Sequence, residues 1–269
     1  MSRLVRRRPV DLAEAPTTAT VMPGAETYYG GSGPNGVLLC HGFSGSPQSM
    51  RAWAEHLEAD GFRVVLPRLP GHGTTWQELN QTRWEDWYAC VDRAFADLRA
   101  ECDRVFCCGL SMGGGLALRI AEQHGNAVAG LALVNPSIGS KDPRYRLLLP
   151  WLRHLRPSLG GIGSDIALPD AVEAAYDRSP LHAGWSVTRM WAEIVPRLDL
   201  VTQPLLVFKS VRDRVVDPLS LKLIEERVRS TEFSVVRLER SYHVATLDYD
   251  AELIFTSSSA FFQRLAGKG

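Results

Sequence analysis

Short apolar runs recur along this chain, far enough apart for a helix to fit between most of them. The runs at 37–40, 62–66, 104–109, 128–134, 205–210 and 234–238 are rich in Val, Leu and Phe and do not alternate strictly with polar residues. That pattern predicts strands buried on both faces, as in a parallel sheet covered by helices. A weaker run at 26–29 predicts an edge strand. Between the runs, apolar residues return at helical spacing: Trp53 and Leu57, then Val91, Phe95 and Leu98. They read as core-facing positions. The expected helices are 47–60, 83–100, 112–124, 218–228 and 251–265. Pro47 behind a capping Ser46 opens the first, and Gly61 and Gly125 close the first and third. Alternating strands and helices place the chain in the α/β class with a mostly parallel sheet.

The segment 141–197 breaks this alternation. It has no clear strand, carries six prolines from Pro143 to Pro196, and holds Leu147, Leu148, Leu149, Trp151, Leu152, Ile162, Trp185 and Trp191. An insertion this long within a compact domain is usually functional. It is expected to form a cap of short helices over the strand ends, inserted after the sixth strand. The core is then 21–140 with 198–269.

Composition narrows the class. A chain of 269 residues with 45% hydrophobic and 22% charged residues suits one large α/β domain. Its net charge is zero, so nothing points to nucleic acid as a partner. Residues 1–20 contain Arg3, Arg6, Arg7 and Arg8 without the apolar stretch a secretory signal needs. They predict a disordered basic tail. No run reaches the ~18 apolar residues of a membrane span. The five cysteines, three of them in apolar runs, predict buried thiols in a reducing cytoplasmic setting. Their spacing matches no metal site, so no structural metal is expected.

The candidate chemistry begins at Gly109-Leu110-Ser111-Met112-Gly113, between a strand-like run and a helix-like run. That context makes G-x-S-x-G a nucleophile elbow, a tight turn that lifts Ser111 above the sheet edge. A serine needs a base, and the base a carboxylate that orients it. Asp213 follows the run at 205–210, where ligand-facing residues belong in open α/β sheets. Asp217 competes, but its place before Pro218 suits a helix cap, so Asp213 is preferred. Of seven histidines, only His243 follows both Ser111 and the acid loop. Asp248 either braces the histidine loop or merely caps it. The oxyanion hole is expected from the backbone N–H groups of Met112 and Phe43, with the Phe43 ring lining the acyl pocket.

Several stretches together resemble the bacterial monoacylglycerol lipase and thermostable carboxylesterase group of the α/β-hydrolase fold. They are His41-Gly42-Phe43-Ser44-Gly45-Ser46-Pro47, Pro70-Gly71-His72-Gly73-Thr74, Trp84-Glu85-Asp86-Trp87, the Ser111 elbow and Ser241-Tyr242-His243-Val244-Ala245-Thr246-Leu247-Asp248. Gly163-Ser164-Asp165-Ile166 is similar to that group's cap. The resemblance implies a cofactor-independent serine esterase acting on small-molecule acyl esters of glycerol or simple alcohols. It implies Ser111, Asp213 and His243 as triad, Phe43 and Met112 as oxyanion donors, and a cap that shapes an apolar tunnel and touches membranes or micelles. Leu148, Trp151 and Ile162 of the cap are the expected acyl contacts beside Phe43. Members of this group can use an acidic cap residue to meet the glycerol hydroxyls. Between Asp142 and Asp165 this chain has no Asp or Glu but Arg144, Arg146, Arg153, His154 and Arg156. Ester chemistry is therefore implied without glycerol as the fixed alcohol.

Two other functions fit the same residues. One is a thioesterase, peptidase or carbon–carbon hydrolase using the same triad, which acyl esters, acyl-CoA and peptide anilides would separate. The other is a binding protein on a hydrolase scaffold, which a fluorophosphonate probe would reveal by failing to label Ser111. The sequence leaves the oligomeric state open.

Overall fold

The computed structural model describes residues 17–161 and 165–267. Seven strands form one sheet in the order β1-β3-β2-β4-β5-β8-β9. They are β1 (Tyr28–Gly30), β2 (Asn35–Cys40), β3 (Arg63–Leu66), β4 (Arg104–Leu110), β5 (Val128–Val134), β8 (Leu205–Ser210) and β9 (Phe233–Leu238). β1 runs antiparallel to β3, and every other neighbouring pair is parallel. The expected edge strand is therefore present, shifted by a residue or two.

Helices cover both faces, which is why the strand sequences do not alternate. Leu38 and Cys40 of β2 face one buried cluster with Phe95, Leu116 and Met190. Val37 and Leu39 face the other, with Trp53, Phe106 and Phe262. The helices involved are α1 (Arg51–Ala59), α3 (Trp84–Glu101), α4 (Met112–His124), α7 (Leu181–Ile194) and α9 (Ala251–Ala266). Phe106 and Phe262 stack with their centroids 4.6 Å apart. The two edge strands, β1 and β9, each paired on one side, keep half-exposed patterns.

Four expectations need correction. The first helix opens as a 3₁₀ turn over Pro47–Met50, and Ser46 makes no side-chain cap bond there. A proline at the first position leaves one fewer N–H to cap. A short helix, α2 (Trp76–Gln81), was not expected. Thr75 caps it through its side chain, accepting from the Glu78 N–H at 3.3 Å. Residues 17–20, assigned to the tail, lie against the core: Thr17 Oγ1 donates to Glu78 at 2.6 Å and the Thr18 N–H at 3.0 Å. The arginines of the tail lie outside the described residues. Finally, the insertion follows the fifth strand in chain order rather than the sixth, because one described strand precedes β2.

The insertion also holds strands. After α5 (Pro143–Leu147) and α6 (Leu149–Leu155), β6 (Ser158–Gly160) pairs antiparallel with β7 (Arg178–Pro180). Backbone pairing without an apolar run gave the sequence pattern nothing to detect. Helix α7 is not peripheral, since Ala183, Met190 and Ile194 belong to the main core. The remaining helix, α8 (Leu219–Arg227), follows β8.

Candidate active site

The elbow is built as its sequence demands. Ser111 joins β4 to α4 at φ 55° and ψ −118°. A non-glycine residue rarely holds such a conformation unless its surroundings enforce it. The Ser111 N–H donates to the Val134 carbonyl at 3.0 Å, and its own carbonyl accepts from Gly114 and Ser137, each at 3.0 Å. The glycines make the turn possible. A Cβ on Gly113 would sit 1.9 Å from the Cys40 carbonyl oxygen, and one on Gly109 2.4 Å from that of Gly113.

Asp213 and His243 meet across the ends of β8 and β9. His243 Nδ1 lies 3.1 Å from Asp213 Oδ1, with the two side chains 9% and 1% exposed. The same oxygen accepts from the Val215 and Val216 N–H groups at 2.9 and 3.0 Å. Oδ2 accepts from Lys209 Nζ at 2.5 Å. Burial alone would push this carboxyl up. The hydrogen bonds and charges of His243 and Lys209 outweigh it and hold the group below the usual carboxylate range. Asp217 sits elsewhere, accepting from the Leu219 and Lys141 N–H groups at 2.9 and 2.8 Å.

The histidine loop is pinned from three directions. Asn135 Nδ2, at the end of β5, donates to the His243 carbonyl at 2.8 Å and to Ser210 Oγ at 2.9 Å. Asp165 Oδ2, from the insertion, accepts from the N–H groups of both His243 and Arg214 at 3.2 Å. Asp248 accepts from Tyr242, Ala167 and Leu168. It thus braces the histidine loop against the insertion. His243 Nε2 is bonded to no described residue, so the contact to Ser111 Oγ is not closed in this structure. Catalytic hydrogen bonds are often open without substrate.

The loop after β2 passes directly beside the elbow, since a Cβ on Gly42 would lie 3.5 Å from Ser111 Cβ. The Phe43 ring packs against Trp87 and His72 with centroids 6.0 and 6.3 Å away. The Met112 N–H lies in the first turn of α4, where amides have no intrahelical acceptor. Leu148 and Trp151 stand on open surface, 56% and 76% exposed, and Ile162 lies outside the described residues, as do Gly163 and Ser164.

The sequence profile of the family described as serine aminopeptidase, S33, matches residues 34–250. The chain belongs to this family. It is 40% identical to the thermostable monoacylglycerol lipase of Bacillus sp. (strain H-257) over 92% of this chain and 98% of that protein. The carboxylesterase of Bacillus subtilis (strain 168) is 26% identical over 91% and 98%. A solved structure from a study of metagenome-derived lipolytic enzymes, 40% identical, superposes with a TM-score of 0.88 over 91% of this chain and all of that one. The fold is that of the α/β-hydrolases, and the resemblance read from the motifs holds.

Four site residues of this hydrolase escaped the sequence reading. Asn135 and Asp165 act through loop contacts that no spacing encodes, and the cap motif that contains Asp165 does not disclose its bond to the histidine loop. Lys209 did leave a signal, a lone charge in a buried strand run four residues before the predicted acid. Glu173 is an acid of the insertion that lies past the arginine-rich stretch between Asp142 and Asp165. A Cβ on Gly45 would come within 2.7 Å of Glu173 Oε1, so this carboxyl lies over the loop that carries Phe43. Burial pushes it up, and the charge of His243 works against that.

Proposed function

We propose that this hydrolase cleaves carboxylic esters of fatty acids through an acyl-enzyme on Ser111, with Asp213 and His243 completing the triad. One observation carries the reading: a hydrogen-bonded Asp213–His243 pair at the strand ends where a serine is held at positive φ on an elbow. His243 Nε2 takes the Ser111 proton as Oγ attacks the ester carbonyl. The N–H groups of Phe43 and Met112 receive the oxyanion, and the proton passes to the leaving alcohol. Water deprotonated by His243 then releases the acid. The chemistry uses side chains, backbone amides and water.

Monoacylglycerol is the favoured ester, and the relative at 40% identity is named for that substrate. Glu173 supplies the cap acid that is absent between Asp142 and Asp165. Its carboxyl oxygens accept no hydrogen bond among the described residues, which leaves them to the hydroxyls of a glycerol headgroup; its backbone carbonyl is taken by the Ala175 N–H. The outer part of 141–197 serves as the cap. Leu147, Leu148, Trp151 and Leu155 are all more than half exposed there, beside Arg144, Arg146 and Arg156. An apolar patch rimmed by cations suits transient contact with anionic membranes or micelles from the cytoplasmic side. No helix among the described residues is long and apolar enough to cross a membrane.

The test compares p-nitrophenyl acyl esters, monoacylglycerols, acyl-CoA and peptide anilides, together with fluorophosphonate labelling. Esters should turn over fastest, and the probe should modify Ser111. Faster turnover of thioesters or anilides would reassign the substrate class, and a folded protein that resists the probe would remove the enzyme reading.

A further inference from the structure

We propose that Lys209 is a positioning residue that shares the Asp213 carboxylate with His243 and thereby sets the lower pH limit of turnover. The inference rests on the triad reading above and adds a cation to it.

Lys209 is an oddity of the fold before it is an oddity of the site. It interrupts β8, whose other residues, Leu205, Leu206, Val207, Phe208 and Ser210, are all buried. A lysine side chain only 13% exposed in such a strand requires a partner, since an unpaired ammonium there would be costly to desolvate. Its partner is Asp213 Oδ2, at 2.5 Å, while Oδ1 of the same carboxylate faces His243. Nothing in the fold demands this arrangement. The two Val215 and Val216 amides already anchor Asp213, and an apolar residue in β8 would suit the core.

The consequence is electrostatic. When His243 accepts a proton from Ser111 or from solvent, the imidazolium draws on the Asp213 charge. Lys209 has already neutralised part of that charge and repels the new cation. Charges a few ångströms apart in a buried site interact strongly enough to move a titration by on the order of one pH unit. The acids near His243 act in the opposite sense to Lys209, whereas the nearby arginines are turned to other partners or to solvent. Glu173 and Asp165 from the insertion are acids, and Asp165 bonds the His243 N–H directly. Asp248 bonds the neighbouring Tyr242 N–H. Arg214 stacks its guanidinium 4.2 Å from the centre of the Tyr242 ring, and its N–H is held by Asp165. Arg237 is in register with Lys209 on the parallel neighbour β9 and so shares its face of the sheet, but its side chain is exposed to solvent, which screens its charge. Lys209 is the ammonium bonded to the carboxylate that orients the base. Losing it would leave the whole Asp213 charge to the imidazolium that forms when His243 takes a proton, and that change is what a pH profile reads.

The experiment measures kcat/KM against pH on a soluble short-chain p-nitrophenyl ester for the parent, Lys209→Met, Lys209→Gln and Lys209→Arg, with Ser111→Ala run beside them. The acid limb should move up by about one pH unit in the Met and Gln variants. It should stay in place in the Arg variant, which keeps the charge. Gln covers the case in which Met fails to fold. An acid limb that does not move in whichever neutral variant folds, whatever happens to the plateau rate, overturns the proposal and leaves Lys209 a strut. Equal movement in the Arg variant overturns it as well, because charge would not be the cause. Activity surviving in Ser111→Ala would instead bring down the triad reading itself, so the two failures are distinguishable.

Discussion

The strand-end loops and the outer helices of the insertion are built on opposite principles. Ser111, Asp213 and His243 sit on turns whose backbone groups are bonded into the sheet or to one another through Asn135, Asp165 and Asp248. Helices α5 and α6 contain no buried residue at all and expose Leu147, Leu148, Trp151 and Leu155. Chemistry needs atoms held to fractions of an ångström, so the first region is over-determined. The second leaves apolar area unpartnered, which under the proposed function would meet a greasy substrate in an aggregate.

Substitutions in the first region should therefore act on the chemical step whatever the substrate. Ser111→Ala should lower hydrolysis of every ester by at least about 10⁴-fold while leaving the thermal midpoint within a few degrees. Residual turnover in carefully purified variant would name the wrong nucleophile. Asp213→Asn should cost about 10³–10⁴-fold in kcat, because the amide no longer holds the imidazole in its working tautomer. Asp217→Asn should stay within about tenfold, since its carboxylate serves the Leu219 and Lys141 amides. The reverse ranking would move the acid to Asp217 and dissolve the contrast between a catalytic loop and a capping one.

The second region should respond only when the substrate is presented as a surface. The double change Leu148→Ser with Trp151→Ser removes two large exposed apolar side chains. Turnover of monoacylglycerol in micelles should fall by about 100-fold, since two such side chains contribute on the order of 1.5–3 kcal/mol each when buried and each 1.4 kcal/mol is a factor of ten. Turnover of a dissolved short-chain ester should stay within about twofold. Equal losses on both substrates would mean that these residues line the path of every acyl chain.

The same division governs how much the sequence disclosed. Strands buried on both faces need continuous apolar runs, and glycines that admit no Cβ must stay glycine, so the sheet, α4 and the elbow are legible residue by residue. Asp213 and His243 are legible because topology brings the loops after β8 and β9 to the side of the elbow. The insertion is not. Its β6–β7 pair rests on backbone hydrogen bonds, which are indifferent to side-chain pattern. The apolar residues of α7 were visible, but α7 reads as cap when it is core, because a helical stripe does not say which surface it meets. Asp165 and Asn135 are invisible for a third reason: each satisfies amides of a loop far away in sequence, and many Asp or Asn side chains could do so. Lys209 differs again, since a charge inside an apolar strand announces that something opposite must answer it.

The weakest expected effect lies where the two regions touch. Glu173 belongs to the insertion, yet its carboxyl lies against Gly45 and feels the charge of His243. Glu173→Gln should lower kcat/KM for monoacylglycerol roughly fivefold relative to a simple alkyl ester of the same acid, the loss of about 1 kcal/mol from a charged hydrogen bond to a hydroxyl. It should also stabilise the protein at neutral pH. Burial raises the folded pKa of this group above its unfolded value, so the folded state holds the proton more tightly and stability falls as pH rises through the interval between the two values. Glutamine has no proton to lose. The thermal midpoint of the variant should therefore gain on the parent between about pH 4, near the unfolded carboxyl value, and pH 7. A variant that loses stability across that range while keeping its substrate ratio would show Glu173 to be a structural acid, and the alcohol would then be chosen elsewhere on the rim.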